Sequence, residues 1–144
     1  MRALLDINIL IALLDTGHIM HDAATSWLEL EIENGWASCP LTQNGTIRIL
    51  SQPAYPNSQP AALVAERLME ACANDQHLFW TDSISLLSDK TINWHKILGH
   101  RQITDSYLLA LAVQNEGRFV TFDQNVVLNT VEGATSQHLT VITH

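Results

Sequence analysis

The chain reads as an α/β domain built on a mostly parallel five-stranded sheet with helices on both faces, and three observations predict it. Short runs of strand type recur at 3–5, 36–39, 77–80, 118–122 and 138–143, and the stretches between most of them have helical length. Strands that alternate with helices fold as parallel sheets covered on both sides, and right-handed crossovers leave few topologies. Residues 2–14 pass from an apolar strand directly into an apolar helix, with one carboxylate, Asp6, at the junction. That junction lies outside the carboxyl end of a strand, where open α/β sheets place their sites. Finally, 144 residues with 47% hydrophobic content make one domain, 1–144, with a full core.

Taken in order, Ala3, Leu4 and Leu5 form a run suited to a strand buried on both faces. Asn8 marks a turn, and 9–14 continue as an apolar helix. Asp22 is an N-cap for a helix over 23–34, which Asn34-Gly35 stops. Ala23, Ala24, Trp27 and Leu28 are its apolar face. The second strand, 36–39, is closed by Pro40, and Thr42 caps a short helix over 43–50. Pro53, Pro56, Asn57 and Ser58 make 51–59 a loop. Pro60 starts a helix to about 73, with Leu63, Val64, Leu68, Met69 and Cys72 facing inward. The third strand is 77–80, and 83–98 is expected to be mostly helical. After a loop over 99–103, Thr104 caps a helix over 105–116, which Gly117 ends; Tyr107, Leu108, Leu111 and Ala112 form its buried stripe. The fourth strand, 118–122, runs into Asp123, which opens a turn and a short helix. The last strand is 138–143. There is no internal repeat, linker or low-complexity segment.

No apolar run reaches the roughly 18 residues that span a bilayer, and the N-terminus meets Asp6 too soon to read as a signal peptide. Cys39 and Cys72 have no metal-like spacing and sit in apolar surroundings, so buried thiols in a reducing cytoplasm are expected, with no membrane association. The net charge of −8 excludes nucleic-acid binding by bulk charge. RNA contact would have to be local, metal-bridged or helped by a basic partner, and the acidity is equally compatible with none.

Three acids share one structural address. Asp6 follows the first strand, Asp123 follows the fourth, and Asp105 opens the helix that leads into the fourth. A helix between parallel strands starts at the edge where the preceding strand ended, so all three converge there. Clustered carboxylates repel one another, and a hard divalent cation is the usual compensation. Mg²⁺ or Mn²⁺ in such a cluster activates water and offsets the charge of a phosphodiester transition state. Taken singly, each Asp is as readily explained as a cap or turn residue; it is their common edge that favours chemistry.

Three motifs carry a family resemblance: Leu-Leu-Asp6-Ile-Asn8, Ile-Thr-Asp105-Ser-Tyr-Leu-Leu-Ala-Leu-Ala112 and Val-Thr-Phe-Asp123. They resemble the PIN domain, and more narrowly the VapC-like ribonuclease toxins of prokaryotic toxin–antitoxin pairs. The likeness runs the length of the chain, and Pro40-Leu-Thr-Gln-Asn-Gly-Thr-Ile-Arg48 resembles the segment after the second strand in one branch. It implies a three-layer α/β/α PIN-like fold, Mg²⁺ or Mn²⁺ held by acids, an RNA substrate, a cognate antitoxin that blocks the site, and a homodimer. In the family a Glu usually stands three residues after the Thr of that segment; here that register falls on Gly45. Asn125 stands where many relatives carry another acid. Three formal charges in place of four or five imply weaker metal binding or a shift towards Mn²⁺, and micromolar Mg²⁺ affinity in calorimetry would contradict it.

Asp6, Asp105 and Asp123 are therefore the candidate catalytic and metal residues. Asn8, Asn44, Arg48, Arg101 and Thr121 are the candidate substrate-binding residues. Thr121 lies two before Asp123, so on a strand both face one way and its hydroxyl is placed to orient a carboxylate; β-propensity explains a threonine there equally well. Asn8 is either a partner of an acid or a turn residue. Asp82 reads as a plain N-cap. His100-Arg101 and Arg48 are local cationic spots for a phosphate, and surface roles explain them as well. Gln43 and Asn44 could hold a metal-bound water or a phosphate. His18 and His21 have metal-like spacing but no third ligand nearby, and the four tryptophans read as core or interface. Three other readings remain. One is a PIN-fold RNA- or protein-binding module without turnover, favoured by Gly45 and the net acidity. Another is a phosphatase of the haloacid dehalogenase type, which would want an Asp at Asn8 and a lysine better placed than Lys90 or Lys96. The third is a receiver domain, which would want an acid pair after the first strand.

Overall fold

In the computed structural model, which describes residues 1–88 and 90–143, five parallel strands lie in the order β3-β2-β1-β4-β5. They are β1 Ala3–Leu5, β2 Trp36–Ser38, β3 His77–Phe79, β4 Arg118–Thr121 and β5 Leu139–Val141. The helices are α1 Ile7–Leu14, α2 His21–Glu31, α3 Pro40–Leu50, α4 Ala61–Cys72 and α5 Arg101–Gln114. Register runs Leu4 opposite Ala37 on one side and Phe119 on the other. The central strand β1 is fully buried, as its unbroken apolar run requires.

The core has two faces. Leu4, Ala37 and Phe119 point towards α5, whose residues 106–112 are all buried. Ala3, Leu5, Trp36 and Val120 point the other way, with Ile9 and Leu10 of α1 and the partly buried Trp27 and Leu28 of α2. A smaller cluster of Ile11, Leu50 and Val64 ties α1, α3 and α4 together. The loop over 51–59 is anchored by Asp15, whose carboxylate accepts hydrogen bonds from Tyr55, Asn57 (2.8 Å) and the Gly17 amide. Those donors, Tyr55 first, hold Asp15 below the usual carboxylate range.

Several local expectations are corrected. The segment 83–98 is not mostly helical: among its described residues only Trp94–Lys96 forms a single 3-10 turn, and Asp89 lies outside them. Its serines bond in non-helical ways, Ser85 Oγ accepting from the Leu87 amide and Ser83 Oγ donating to Gln114. Its apolar residues Ile84, Leu86 and Ile97 pack against the α5 side of the core. With no helix after β3, Asp82 is not an N-cap.

Helix α5 begins at Arg101, so Asp105 sits a full turn inside it and Thr104 is not its cap. Helix α1 begins at Ile7, capped by the Asp6 side chain, so Asn8 is in its first turn. Helix α3 begins at Pro40 with Cys39 as cap, and Thr42 supports that start by accepting from the Cys39 amide at 3.0 Å. Helix α2 begins at His21, which places Asp22 in its first turn, where a negative charge suits the helix dipole. Asp123 opens a turn only, and the short 3-10 helix comes later, at Leu128–Thr130. Met69 is exposed, not inward, as is Trp94 in part.

Candidate active site

Asp6 is fixed by the end of β1 and the start of α1. One carboxylate oxygen accepts from the Ile7 amide at 2.7 Å, capping α1; the other accepts from Thr121 Oγ1 at 2.6 Å. The residue is only 6% exposed. Burial raises its pKa above the ordinary carboxylate value, the bonds from Thr121 and Ile7 pull it back, and the charge of Asp123 adds to the rise.

Thr121 is the hub of the site. Its hydroxyl donates to Asp6 and accepts from the Asp123 amide at 3.0 Å and from Asn8 Nδ2 at 3.2 Å. It is fully buried, so it positions carboxylates and does not meet substrate. Asn8 also accepts from the Phe122 amide at 3.4 Å, which ties α1 to the turn after β4. Both its side-chain atoms are committed there. Asp123 Oδ1 accepts from the Asn125 amide at 2.8 Å and so shapes its own turn.

Asp105 reaches the other two from α5. Its pKa is pushed up to about 7, first by burial, then by the charge of Asp6 and by contact with and charge from Asp123. The three acids predicted for one edge therefore act on one another electrically. Among the described residues no three His, Cys, Asp or Glu side chains form a group arranged to hold a metal ion. The donor set nevertheless suits a hard cation: three carboxylates with only backbone and hydroxyl donors to offset them, two of them raised by mutual repulsion and burial.

The other candidates lie apart from this network. Asn44, Arg48 and Arg101 are exposed, with no ion pair or hydrogen bond joining them to the three acids among the described residues. Gln43 turns away, donating to Ser38 Oγ at 3.0 Å, while Ser38 in turn bonds His77 at 2.8 Å. His21 Nδ1 bonds the Ala12 carbonyl at 2.7 Å and His18 Nδ1 accepts from the Met20 amide, so both have structural partners.

Gly45 is buried on α3, and a Cβ there would come within 2.3 Å of Ile7 Cδ1 and 2.9 Å of its Cγ1. Ile7 thus fills the volume that a side chain at 45 would need, next to Asp6. Gly45→Glu gains up to about 1 kcal/mol of helix propensity but incurs about 1–3 kcal/mol of overpacking. We expect it to lower the melting temperature in the parent chain and to be neutral or stabilising in an Ile7→Ala background. A thermal-melting double-mutant cycle reads the coupling, and simple additivity of the two changes would contradict it.

The PIN domain family model matches residues 3–131. The chain is 49% identical to Ribonuclease VapC44 of Mycobacterium tuberculosis over 142 residues, 99% of this chain and 100% of the relative. It is 38% identical to Ribonuclease VapC39 of the same organism over 125 residues, covering 85% of this chain and 89% of that one. Its fold resembles VapBC2 from Rickettsia felis, solved bound to a DNA fragment from their promoter, with a TM-score of 0.58 and 16% identity over 85% of this chain and 89% of that one.

Proposed function

The chain belongs to the PIN domain family, among its VapC-like members, and on that premise we propose that it is the endoribonuclease toxin of a toxin–antitoxin pair, hydrolysing RNA phosphodiesters with a divalent cation. The observation that supports this most is the convergence of Asp6, Asp105 and Asp123 at one edge of the sheet, where Asp123 disfavours the charged form of Asp6, and Asp6 and Asp123 that of Asp105. Their donor set suits Mg²⁺, with Mn²⁺ as substitute. Such a cation, when bound, lowers the pKa of water and offsets charge developing on the phosphodiester.

The chain's own residues supply the rest. Thr121 and the Ile7 amide fix the Asp6 carboxylate, the Thr121 hydroxyl and the Asn125 amide fix Asp123, and α5 sets Asp105 against both. In the metal-free site Asp105 keeps its proton up to about pH 7, because burial first, and then the charges of Asp6 and Asp123, disfavour its charged form. Exposed Arg48 and Arg101 offer phosphate contacts without making the whole surface basic. A cognate antitoxin that covers this edge, and pairing of two copies of the chain, complete the reading. Expression alone is expected to arrest growth, and co-expression of the neighbouring antitoxin to restore it. Unhindered growth with folded protein accumulating would overturn the toxin assignment.

Gly45 favours one other reading, a PIN-fold module that binds RNA or protein without turnover. With Ile7 seated where a further acid would stand, the cluster carries fewer charges than the family pattern. Folded, antitoxin-free protein that binds RNA but cuts none in either metal would establish this second role.

A further inference from the structure

A groove of about 380 Å³ opens at the sheet edge that carries the acid cluster, between the start of α3, the segment after β3 and the first turns of α5. Leu41, Ile84, Leu86 and Ile103 form its apolar walls, and among the described residues Asp82 is the one charged residue lining it. Thr104, the neighbour of Asp105, lines it too, so the groove adjoins the site in the chain as well as at the sheet edge. Its volume falls within the range of small-molecule sites.

The groove holds an unspent polar group. Tyr107 lines it, is only 7% exposed, and among the described residues its hydroxyl has no hydrogen-bond partner. A buried hydroxyl without a partner is costly and rare in native proteins. Asp82 lines the same groove, and among the described residues no hydrogen bond joins it to this hydroxyl. A donor and a carboxylate therefore line one apolar cleft, one residue along α5 from Asp105.

We propose that this groove is a nucleobase subsite that selects guanine in the RNA next to the cleaved bond, Asp82 accepting from N1–H and N2–H and the Tyr107 hydroxyl donating to O6. The inference rests on the ribonuclease reading and names what that site recognises. Sequence-specific RNA recognition takes unstacked bases and bonds their Watson–Crick edges. Together the Tyr107 hydroxyl and the Asp82 carboxylate offer one donor and two acceptors. Guanine alone presents the complement, one acceptor followed by two donors. Adenine and cytosine each make two of the three bonds and leave one carboxylate oxygen without a donor. Uracil sets its O2 carbonyl against the carboxylate. The apolar walls take the face of whichever base enters, so discrimination falls to this polar pair.

The test is cleavage of a randomised single-stranded RNA pool in Mn²⁺ by the parent chain, Asp82→Asn and Tyr107→Phe, with the cut ends sequenced. The parent is expected to enrich guanine at one fixed position from the cut, and each variant to reduce that enrichment on the order of tenfold. Tyr107→Phe keeps the buried ring and removes an unpartnered hydroxyl, so its melting temperature should hold or rise. No guanine enrichment in the parent, or undiminished enrichment in both variants, would overturn the proposal. So would an unchanged cleavage pattern with lost antitoxin affinity, which would assign the groove to the antitoxin. If the parent cuts no RNA, the ribonuclease reading fails separately. Binding of short RNAs differing by one guanine then decides the groove: a guanine preference lost in Asp82→Asn sustains it, and equal binding of all four bases overturns it.

Discussion

Asp105→Asn is expected to cut RNA cleavage by about a hundredfold to a thousandfold, the scale of removing one preorganised electrostatic group, while the chain stays folded. The amide keeps the shape of the carboxyl and removes its charge. The same change should raise stability of the metal-free protein near neutral pH. Asp105 titrates near pH 7 when folded, against an ordinary value of 3.8 in the unfolded chain. Between those values the folded state holds a proton that the unfolded state has lost, so stability falls as pH rises through that window. Asp6, also raised, adds to the same slope. Metal-free melting temperatures should therefore drop from about pH 4 to 7 in the parent and drop less in Asp105→Asn. Added Mn²⁺ should restore the parent more than the variant, because only a ligand held by the folded state stabilises it. Parental cleavage rates in the folded variant would refute the assignment of Asp105.

Thr121→Val has the second largest expected effect, on stability and activity together. The substitution keeps shape and deletes the hydroxyl that serves Asp6, Asn8 and the Asp123 amide. Each buried group left without a partner costs roughly 1–3 kcal/mol. Asp6 loses the donor that most restrains its rise, so its pKa climbs further. Cleavage should fall about 10–100-fold, the range for losing a group that orients a metal ligand. Thr121→Ser keeps the hydroxyl and should recover most of the activity. Lost activity in Thr121→Ser with parental activity in Thr121→Val would mean that the methyl packing matters and the hydrogen bonds do not.

The sheet and the acid cluster were legible in the chain for the same physical reason. A strand buried on both faces must be apolar, so an acid just beyond it stands out, as Asp6 does after Leu5 and Asp123 does after β4. Asp105 was legible through its place in the order of elements, although α5 starts four residues earlier than its caps suggest. The segment after β3 was misread because its apolar residues look like a helix face. They face α5 from an irregular path instead, and the Ser85 hydroxyl takes the Leu87 amide that a helix would use. Gly45 was legible as a departure from the family pattern, but not the contact with Ile7, which depends on how closely α3 approaches α1. Nor could periodicity separate the Tyr107 ring, a core group, from its hydroxyl, or show that Tyr107 and Asp82 line one groove. Such long-range pairings belong to tertiary structure and leave no mark in local pattern.

The most direct test of the central claim is cleavage of pooled cellular RNA by purified, antitoxin-free protein in Mg²⁺, in Mn²⁺ and in EDTA, with Asp105→Asn alongside. The account predicts discrete cuts in either metal, none in EDTA and about a hundredfold to a thousandfold fewer from the variant. Cuts that persist in EDTA, or at the parental rate in the variant, would contradict a metal-dependent reaction at these acids. Intact RNA in both metals would contradict the ribonuclease itself.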